Sequence, residues 1–269
     1  MESTFKGKSM ELKKEELERY HRNILLSGIG IEGQKKLKSA SVLVVGAGGL
    51  GSSVLYYLVA AGVGNLGICD GDVVDLSNLQ RQVLHNMQDL GKNKADSAFQ
   101  KLTALNPNLN LQVYRNRLNA ENIQEVIKPY DLVVEATDAF TSKFLVNDAC
   151  ILSNKILVRG SALHFGGQVM SVKPRISACY SCLFDSPPTT EMPTGASVGI
   201  LGATAGLFGI LEAAEVIKII TEVGEPLFDK LLTCDIRSMD FRKIAIKRNP
   251  NCRVCGINGI KKLESALYA

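Results

Sequence analysis

Histidine is scarce: His21, His85 and His164 are the only three, and their spacing fits neither a zinc site nor a catalytic triad, so each reads as a packing or surface residue. No charge of one sign dominates. The 31 basic and 27 acidic residues leave a net +4, spread along the chain, which argues against the clustered basic groove of a nucleic-acid-binding protein. The nearest basic clusters, Lys35-Lys36 with Lys38 and Lys261-Lys262, read as solvated faces. No apolar run reaches the roughly 20 residues of a membrane span; Val198 to Ala214 comes nearest, and its glycines and Glu212 make it a buried helix instead. The charged start of the chain has no export-signal pattern, and seven cysteines, an odd number, then point to a reducing cytoplasmic setting with thiols free to bind metal. Neither a linker nor an internal repeat interrupts the sequence. Residues 1–256 are expected as one domain with an N-terminal helical segment, followed by a tail at 257–269.

What is present is an alternation of strands and helices. Glu11 to Leu26 reads as one amphipathic helix. Ser41 to Val45 reads as a buried strand, Leu50 to Ala61 as a helix ended by Gly62, and Asn65 to Asp70 as a second strand, giving a β-α-β unit. A polar connection over 72–88 leads to a helix at Lys92 to Leu105, stopped by Asn106-Pro107. Strands at 111–114, 132–136 and 156–159 alternate with helices at 120–127 and 141–154, which predicts a parallel sheet. Gly166 to Val172, then 231–235 and 241–246, read as antiparallel strands around a long apolar helix at 199–220. The fold class is therefore α/β: Rossmann-like, with a mostly parallel sheet continued by antiparallel strands. Pro187 to Ala196 reads as a loop able to close over a site.

The first β-α turn carries Gly46, Gly48, Gly49 and Gly51 in a G-x-G-x-x-G pattern. Such a turn brings backbone N–H groups and a helix N-terminus up to phosphate, and Asp70, ending the second strand, suits ribose hydroxyls. The motif alone leaves NAD, FAD, ATP and a purely structural turn open, although no Lys-Ser/Thr follows to make a P-loop. A polar cluster shifts the balance. Asp72, Asn78, Gln80, Arg81, Gln82, Lys94 and Asp138 lie near strand ends that line the crevice of an open parallel sheet. Hydride transfer does not need such cations; phosphoryl or nucleotidyl transfer does, with an Asp to hold Mg²⁺. The plainer readings are surface ion pairs for Arg81 and Lys94, a helix cap for Asp138 and a turn cap for Asn78.

Cys179-Tyr-Ser-Cys182 and Cys252-Arg-Val-Cys255 form two C-x-x-C pairs. Redox chemistry, an Fe–S cluster and incidental thiols remain alternatives, but two such pairs favour one closed tetrahedral Zn²⁺ site that pins the segment after Pro250 to the 178–183 region.

In Arg19-Tyr-His-Arg22-Asn, Val-Val-Gly46-Ala-Gly-Gly-Leu-Gly51, Ala60-Ala-Gly-Val-Gly-Asn-Leu66, Asp70-Gly-Asp72, Ser77-Asn-Leu-Gln-Arg81-Gln82, Gly91-Lys-Asn-Lys94, Ala136-Thr-Asp138, Gly166-Gly-Gln168 and the two cysteine pairs, the chain resembles the MoeB/ThiF/HesA group. These are prokaryotic relatives of ubiquitin-activating E1 enzymes. The resemblance runs from about Arg19 to Cys255 and makes 1–256 an adenylation domain. It implies ATP and Mg²⁺ as cofactors and, as substrate, the C-terminal Gly-Gly of a ubiquitin-like β-grasp sulfur-carrier protein, whose carboxylate attacks the α-phosphate and releases pyrophosphate. It places Asp70 on the ribose, the Gly46–Gly51 turn, Asn78, Arg81 and Lys94 on phosphates, and Asp138 on magnesium. Arg22 would reach the site of a neighbouring subunit, which requires a homodimer. Several relatives carry a cysteine in the loop before the long helix. Here Glu191 to Ser197 has none, with Gly195 near that position, and no rhodanese segment is seen, so sulfur is expected from another protein. Other readings are adenylation of a peptide or of a tRNA nucleoside, an NAD-dependent oxidoreductase, and a silent scaffold.

Overall fold

The computed structural model describes residues 11–187 and 195–268. Helices α1 (Lys14–Arg19), α2 (His21–Ile24) and α3 (Gly30–Ser39) lead into β1 (Ser41–Val45), α4 (Gly49–Ala61) and β2 (Asn65–Cys69). The chain continues through α5 (Lys94–Leu105), β3 (Asn110–Tyr114), α6 (Ile123–Ile127), β4 (Leu132–Glu135), α7 (Phe140–Leu152), β5 (Ile156–Leu163) and β6 (Gly166–Val172). Short helices α8 (Tyr180–Leu183) and α9 (Gly195–Val198) precede the long α10 (Gly202–Thr221), and β7 (Lys230–Asp235) and β8 (Asp240–Ala245) complete the strands. Most of the loop expected at 187–196, from 188 to 194, lies outside the described residues.

The eight strands among the described residues join one sheet in the order β3-β2-β1-β4-β5-β6-β7-β8. The first five of that order pair in parallel and the remainder antiparallel, as the sequence pattern predicts. Parallel central strands must be covered on both faces, and β1 and β4 are apolar nearly throughout for that reason. One face is covered by α4, α5 and α10, with Val42, Val44, Leu55 and Phe208 in its core. The other is covered by α6, α7, α8 and the second cysteine pair, around Leu43, Val133, Phe144 and Val254. β1 lies between β2 and β4, so the strand order reverses there and opens a crevice at the carboxyl ends of β1 and β4.

One expectation is corrected. Glu11 to Leu26 is not a single helix but α1 and α2, broken at Tyr20. Tyr20 is buried, accepts a hydrogen bond on its hydroxyl from Asn106 Nδ2 (2.7 Å), and sets its ring against Gly62, where a Cβ would lie 2.5 Å from it. Inserting this ring under the end of α4 turns the chain and ends α1, an override of helical periodicity by tertiary packing. Helix α3 falls where the sequence shows only a basic cluster. Its two glycines weaken local propensity, and buried Leu37 and Gln34, whose Nε2 donates to the Ala61 carbonyl (2.8 Å), hold it in place.

Candidate active site

A cleft of about 460 Å³ opens at the switch point. Gly46, Gly48 and Gly49 from the turn after β1, Asp70 and Asp72 after β2, and Asn78, Arg81, Gln82 and Lys94 all line it, together with Asp138 after β4. The structure thus brings together every proposed nucleotide contact on these elements except Gly51, which has a packing role. Gly46 has φ +99°, and a Cβ there would lie 2.8 Å from the Ala136 carbonyl oxygen. At Gly51 a Cβ would lie 1.9 Å from the Gly46 carbonyl oxygen, so only glycine lets α4 start this close to β1. The N-terminus of α4 consequently opens on the cleft, with its first N–H groups lacking intrahelical partners.

The carboxylate of Asp70 accepts the Ala47 N–H at Oδ2 and the Asp72 N–H at Oδ1, both at 2.8 Å. It therefore ties the glycine turn to the loop after β2, and retains lone pairs for a ligand hydroxyl. Burial pushes its pKa above the ordinary carboxylate range, against the opposing pull of Lys94 and the two N–H groups. For Asp72, burial also acts upward but is outweighed by hydrogen bonds from Arg117 Nη2 (2.7 Å) and Lys94 Nζ (3.3 Å), which hold it below that range. Lys94 is buried at the start of α5 and pairs with Asp72. That ion pair belongs to the cleft, not to the outer surface. Asn93 caps α5, and its Nδ2 donates to the Asp70 and Asp72 carbonyls.

Asn78 caps its own turn, accepting the Asp75 N–H at 3.2 Å. Arg81 is half-buried and donates to the Ser77 carbonyl, with no ion pair among the described residues. Gln82 is buried beside Gly48, and its Oε1 has no hydrogen-bond partner, as expected of an acceptor awaiting a donor on a ligand. Asp138 is exposed and does not cap α7; Ala139 occupies the N-cap position. Nor does it make a hydrogen bond or ion pair to any described residue, although its charge helps raise the pKa of Arg117, after the larger contributions of Asp72 and Asp70. A solvent-facing carboxylate in a cleft it shares with Lys94 and Arg81 has the chemistry to hold a hydrated Mg²⁺. Arg22 sits apart: it lies on α2 and does not line this cleft.

Two supports have no counterpart in the sequence reading. His85 is buried, with Nε2 2.9 Å from the Ala47 carbonyl and Nδ1 2.9 Å from Ser97 Oγ, so it braces the glycine turn from behind. A carbonyl only accepts, so Nε2 carries the proton, and burial keeps the ring neutral by lowering its pKa. The second support is a buried charge cluster of Glu135, Lys143, Arg159 and Glu212. Glu135 Oε1 accepts the Thr137 N–H (2.9 Å), while Lys143 Nζ donates to Glu135 and to the Thr137 and Gly160 carbonyls. Burial raises the pKa of Glu212 and lowers that of Lys143. The cluster holds from beneath the turn that presents Asp138. Charges within runs as apolar as Leu-Val-Arg159-Gly or the α10 sequence are the signal that could have found it.

Cys179, Cys182, Cys252 and Cys255 form a four-cysteine metal-binding cluster, their sulfurs all within 4.8 Å of one another. Sγ–Sγ separations of 3.4, 3.7 and 3.9 Å match the edge of about 3.8 Å that a tetrahedron of roughly 2.3 Å zinc–sulfur bonds requires. The Asn249 and Val254 N–H groups point at Cys182 and Cys252 sulfurs, each at 3.4 Å, as thiolates demand. Hydrogen bonding among the sulfurs pulls Cys182 and Cys252 below the ordinary thiol range and pushes Cys179 and Cys255 above it. Helix α7 grips both pairs. Asn147 Oδ1 accepts the Tyr180 N–H (2.9 Å), and Asp148 Oδ2 accepts Arg253 Nη2 (3.0 Å).

A glycine turn and converging cations at the switch point of a parallel sheet, with a four-thiolate clamp behind, define a nucleotide-binding α/β protein. The chain belongs to the ThiF family, whose model matches residues 20–254. It is 47% identical over 253 residues to the sulfur carrier protein adenylyltransferase of Thermus thermophilus, covering 92% of this chain and 93% of that one. Against the adenylyltransferase and sulfurtransferase MOCS3 of Anopheles gambiae it is 44% identical over 247 residues, 91% of this chain but 56% of that protein. A solved structure of E. coli MccB with ATP superposes with a TM-score of 0.79 at 26% identity, over 88% of this chain and 74% of MccB.

Proposed function

We propose that this protein is an ATP-dependent adenylyltransferase acting on the C-terminal Gly-Gly carboxylate of a ubiquitin-like sulfur-carrier protein. The observation that carries this reading is the convergence of Arg81, Lys94 and Asp138 on the mouth of the glycine turn. Similarity along nearly the whole length of the Thermus adenylyltransferase supports it. The carrier carboxylate is already a nucleophile and needs no general base; its difficulty is repulsion by the triphosphate it approaches. A carboxylate oxygen bonds to the α-phosphorus, the bond to the bridging oxygen breaks, and pyrophosphate leaves, giving an acyl-adenylate. The site's task is therefore positioning and charge cancellation.

In this reading Asp70 takes the ribose, the α4 N-terminus and Gly46–Gly49 take phosphate, and Asn78, Arg81 and Lys94 hold the triphosphate. Gln82 and Asp72 complete the polar wall. Asp138 is the residue for Mg²⁺, which when bound supplies charge neutralisation on the phosphates. The four-cysteine cluster fits Zn²⁺ and is structural, its four ligands leaving no open position. Arg22 serves the cleft of a second copy in a homodimer; its place outside its own cleft, beside exposed Leu25 and Leu26, supports this. The stretch 191–197 contains no cysteine and Gly195 lines the cleft, so the adenylate is not passed to a thiol of that loop.

Intact-mass measurement of candidate carriers incubated with the protein, ATP and Mg²⁺ tests the reading. A carrier gaining one AMP is the expected outcome. Unmodified carriers throughout, with AMP appearing instead on a short peptide, would reassign the substrate.

A further inference from the structure

The segment after Cys255 does not leave the body of the protein. Ile260, Leu263 and Tyr268 pack against the apolar core beneath α7, and the Ile260 N–H donates to the Arg253 carbonyl (2.9 Å). Tyr268 also lines the cleft of the glycine turn, far from that turn in sequence. Leu118, Leu145 and Val146 line it too, and these three belong to the same apolar cluster as Tyr268. The cleft therefore has two characters: a cationic, glycine-lined part and an apolar part whose one aromatic ring, among the described residues, comes from the C-terminal segment.

That ring is fixed in place. The Tyr268 hydroxyl donates to Asp148 Oδ2 (2.7 Å), and the same oxygen takes Arg253 Nη2 (3.0 Å). Asp148 is fully buried, and its other oxygen accepts from Asn147 Nδ2 (2.9 Å). An aromatic side chain whose hydroxyl is held and which lines a cleft beside apolar side chains is suited to a flat heterocycle, because stacking needs a rigid π-surface and no matching hydrogen bonds.

We propose that Tyr268 is a nucleotide-affinity residue, forming the wall on which the purine base of the nucleotide packs, with Leu118 and Leu145 completing that end of the cleft. This rests on the assignment of the cleft to ATP, and the phosphates then lie toward Lys94 and Arg81. Tyr268 acts on the base only, so a ligand without a base should not sense it.

The test is calorimetric titration of the full-length protein with ATP and, separately, with inorganic tripolyphosphate. Tyr268→Ala should weaken ATP binding about tenfold while leaving tripolyphosphate unchanged, since stacking on a side chain contributes on that order. Tyr268→Phe keeps the ring and should stay within a few-fold of the parent. Should the alanine variant fold poorly, Tyr268→Leu retains the core contact, removes the ring and carries the same expectation. Equal loss for ATP and tripolyphosphate, or no loss for either, overturns the inference. If the unaltered protein binds no ATP, the assignment of the cleft falls with it; if it binds ATP and Tyr268 is immaterial, only this inference falls.

Discussion

Lys143 Nζ lies 3.2 Å from Glu135 Oε2, and neither side chain reaches solvent. The pair sits directly below Thr137, the residue before Asp138, and holds it through the Thr137 N–H and carbonyl. A paired ion is tolerated inside a protein; an unpaired one is not. Lys143→Met is expected to cost about 3–5 kcal/mol, measured by urea unfolding, because Glu135 loses its closest cation. A change below about 0.5 kcal/mol would show that Arg159 alone satisfies Glu135.

Arg22 and Asp138 are expected to act from different subunits. Arg22→Ala and Asp138→Ala should each lower carrier adenylation by about 10²-fold or more, as removal of a transition-state charge partner does. Asp138 is exposed and unpaired among the described residues, so its replacement should move stability by no more than about 0.5 kcal/mol. Mixing the two inactive proteins, with subunit exchange, should restore activity, since a mixed dimer holds one complete site. Failure to recover despite proven exchange would place Arg22 in its own subunit's chemistry or in none.

His85 makes stability depend on pH in a definite direction. Its folded pKa lies below the ordinary value of 6.5, principally through burial, so the unfolded chain binds the proton first on acidification. The contribution of the neutral ring is complete above about pH 6.5 and is lost as pH falls through the folded pKa. His85→Leu should therefore cost roughly 1–3 kcal/mol near neutral pH, with the gap to the parent narrowing on acidification below about pH 6.5. Parallel stability curves across that range would contradict this role.

The four-cysteine cluster joins two segments that otherwise meet through α7 and through a hydrogen bond from Arg253 Nε to the Asp185 carbonyl (3.2 Å). Stripping metal with a strong chelator should lower Tm by several degrees, each kcal/mol lost counting for roughly 2–4 °C in a chain of this size. It should also free four thiols to a colorimetric reagent. Since Arg253 lies between Cys252 and Cys255 and anchors Asp148, ATP binding should weaken as well. A protein containing no metal, with unchanged Tm after chelation, would remove the clamp from the account.

Much of the fold and site is legible in the sequence alone. Gly46 and Gly51 announce themselves because close backbone approach admits no other residue, and buried strands such as Val42–Val45 show in their β-branched run. The cysteine pairs carry their own spacing. What stays hidden depends on contacts between distant segments. Tyr20 breaks a helix that looks continuous in sequence, because its ring is needed beneath Gly62. The ion pair of Glu135 and Lys143 cannot be matched from sequence, since an apolar setting marks a charge as buried but does not say which partner it meets. Tyr268 follows a stretch with no periodicity, so nothing local marks its return to the cleft. Arg22 is a candidate only by resemblance, its own chain placing it outside the site.

The central claim is that a carrier's terminal carboxylate attacks ATP at the α-phosphorus in this cleft. Exchange of labelled pyrophosphate into ATP measures that step in reverse as well as forward. The account predicts exchange that requires a Gly-Gly carrier, vanishes when its terminal carboxylate is converted to a carboxamide, and is lost with Lys94→Ala. Exchange that proceeds equally without carrier, or with the carboxamide, would contradict it.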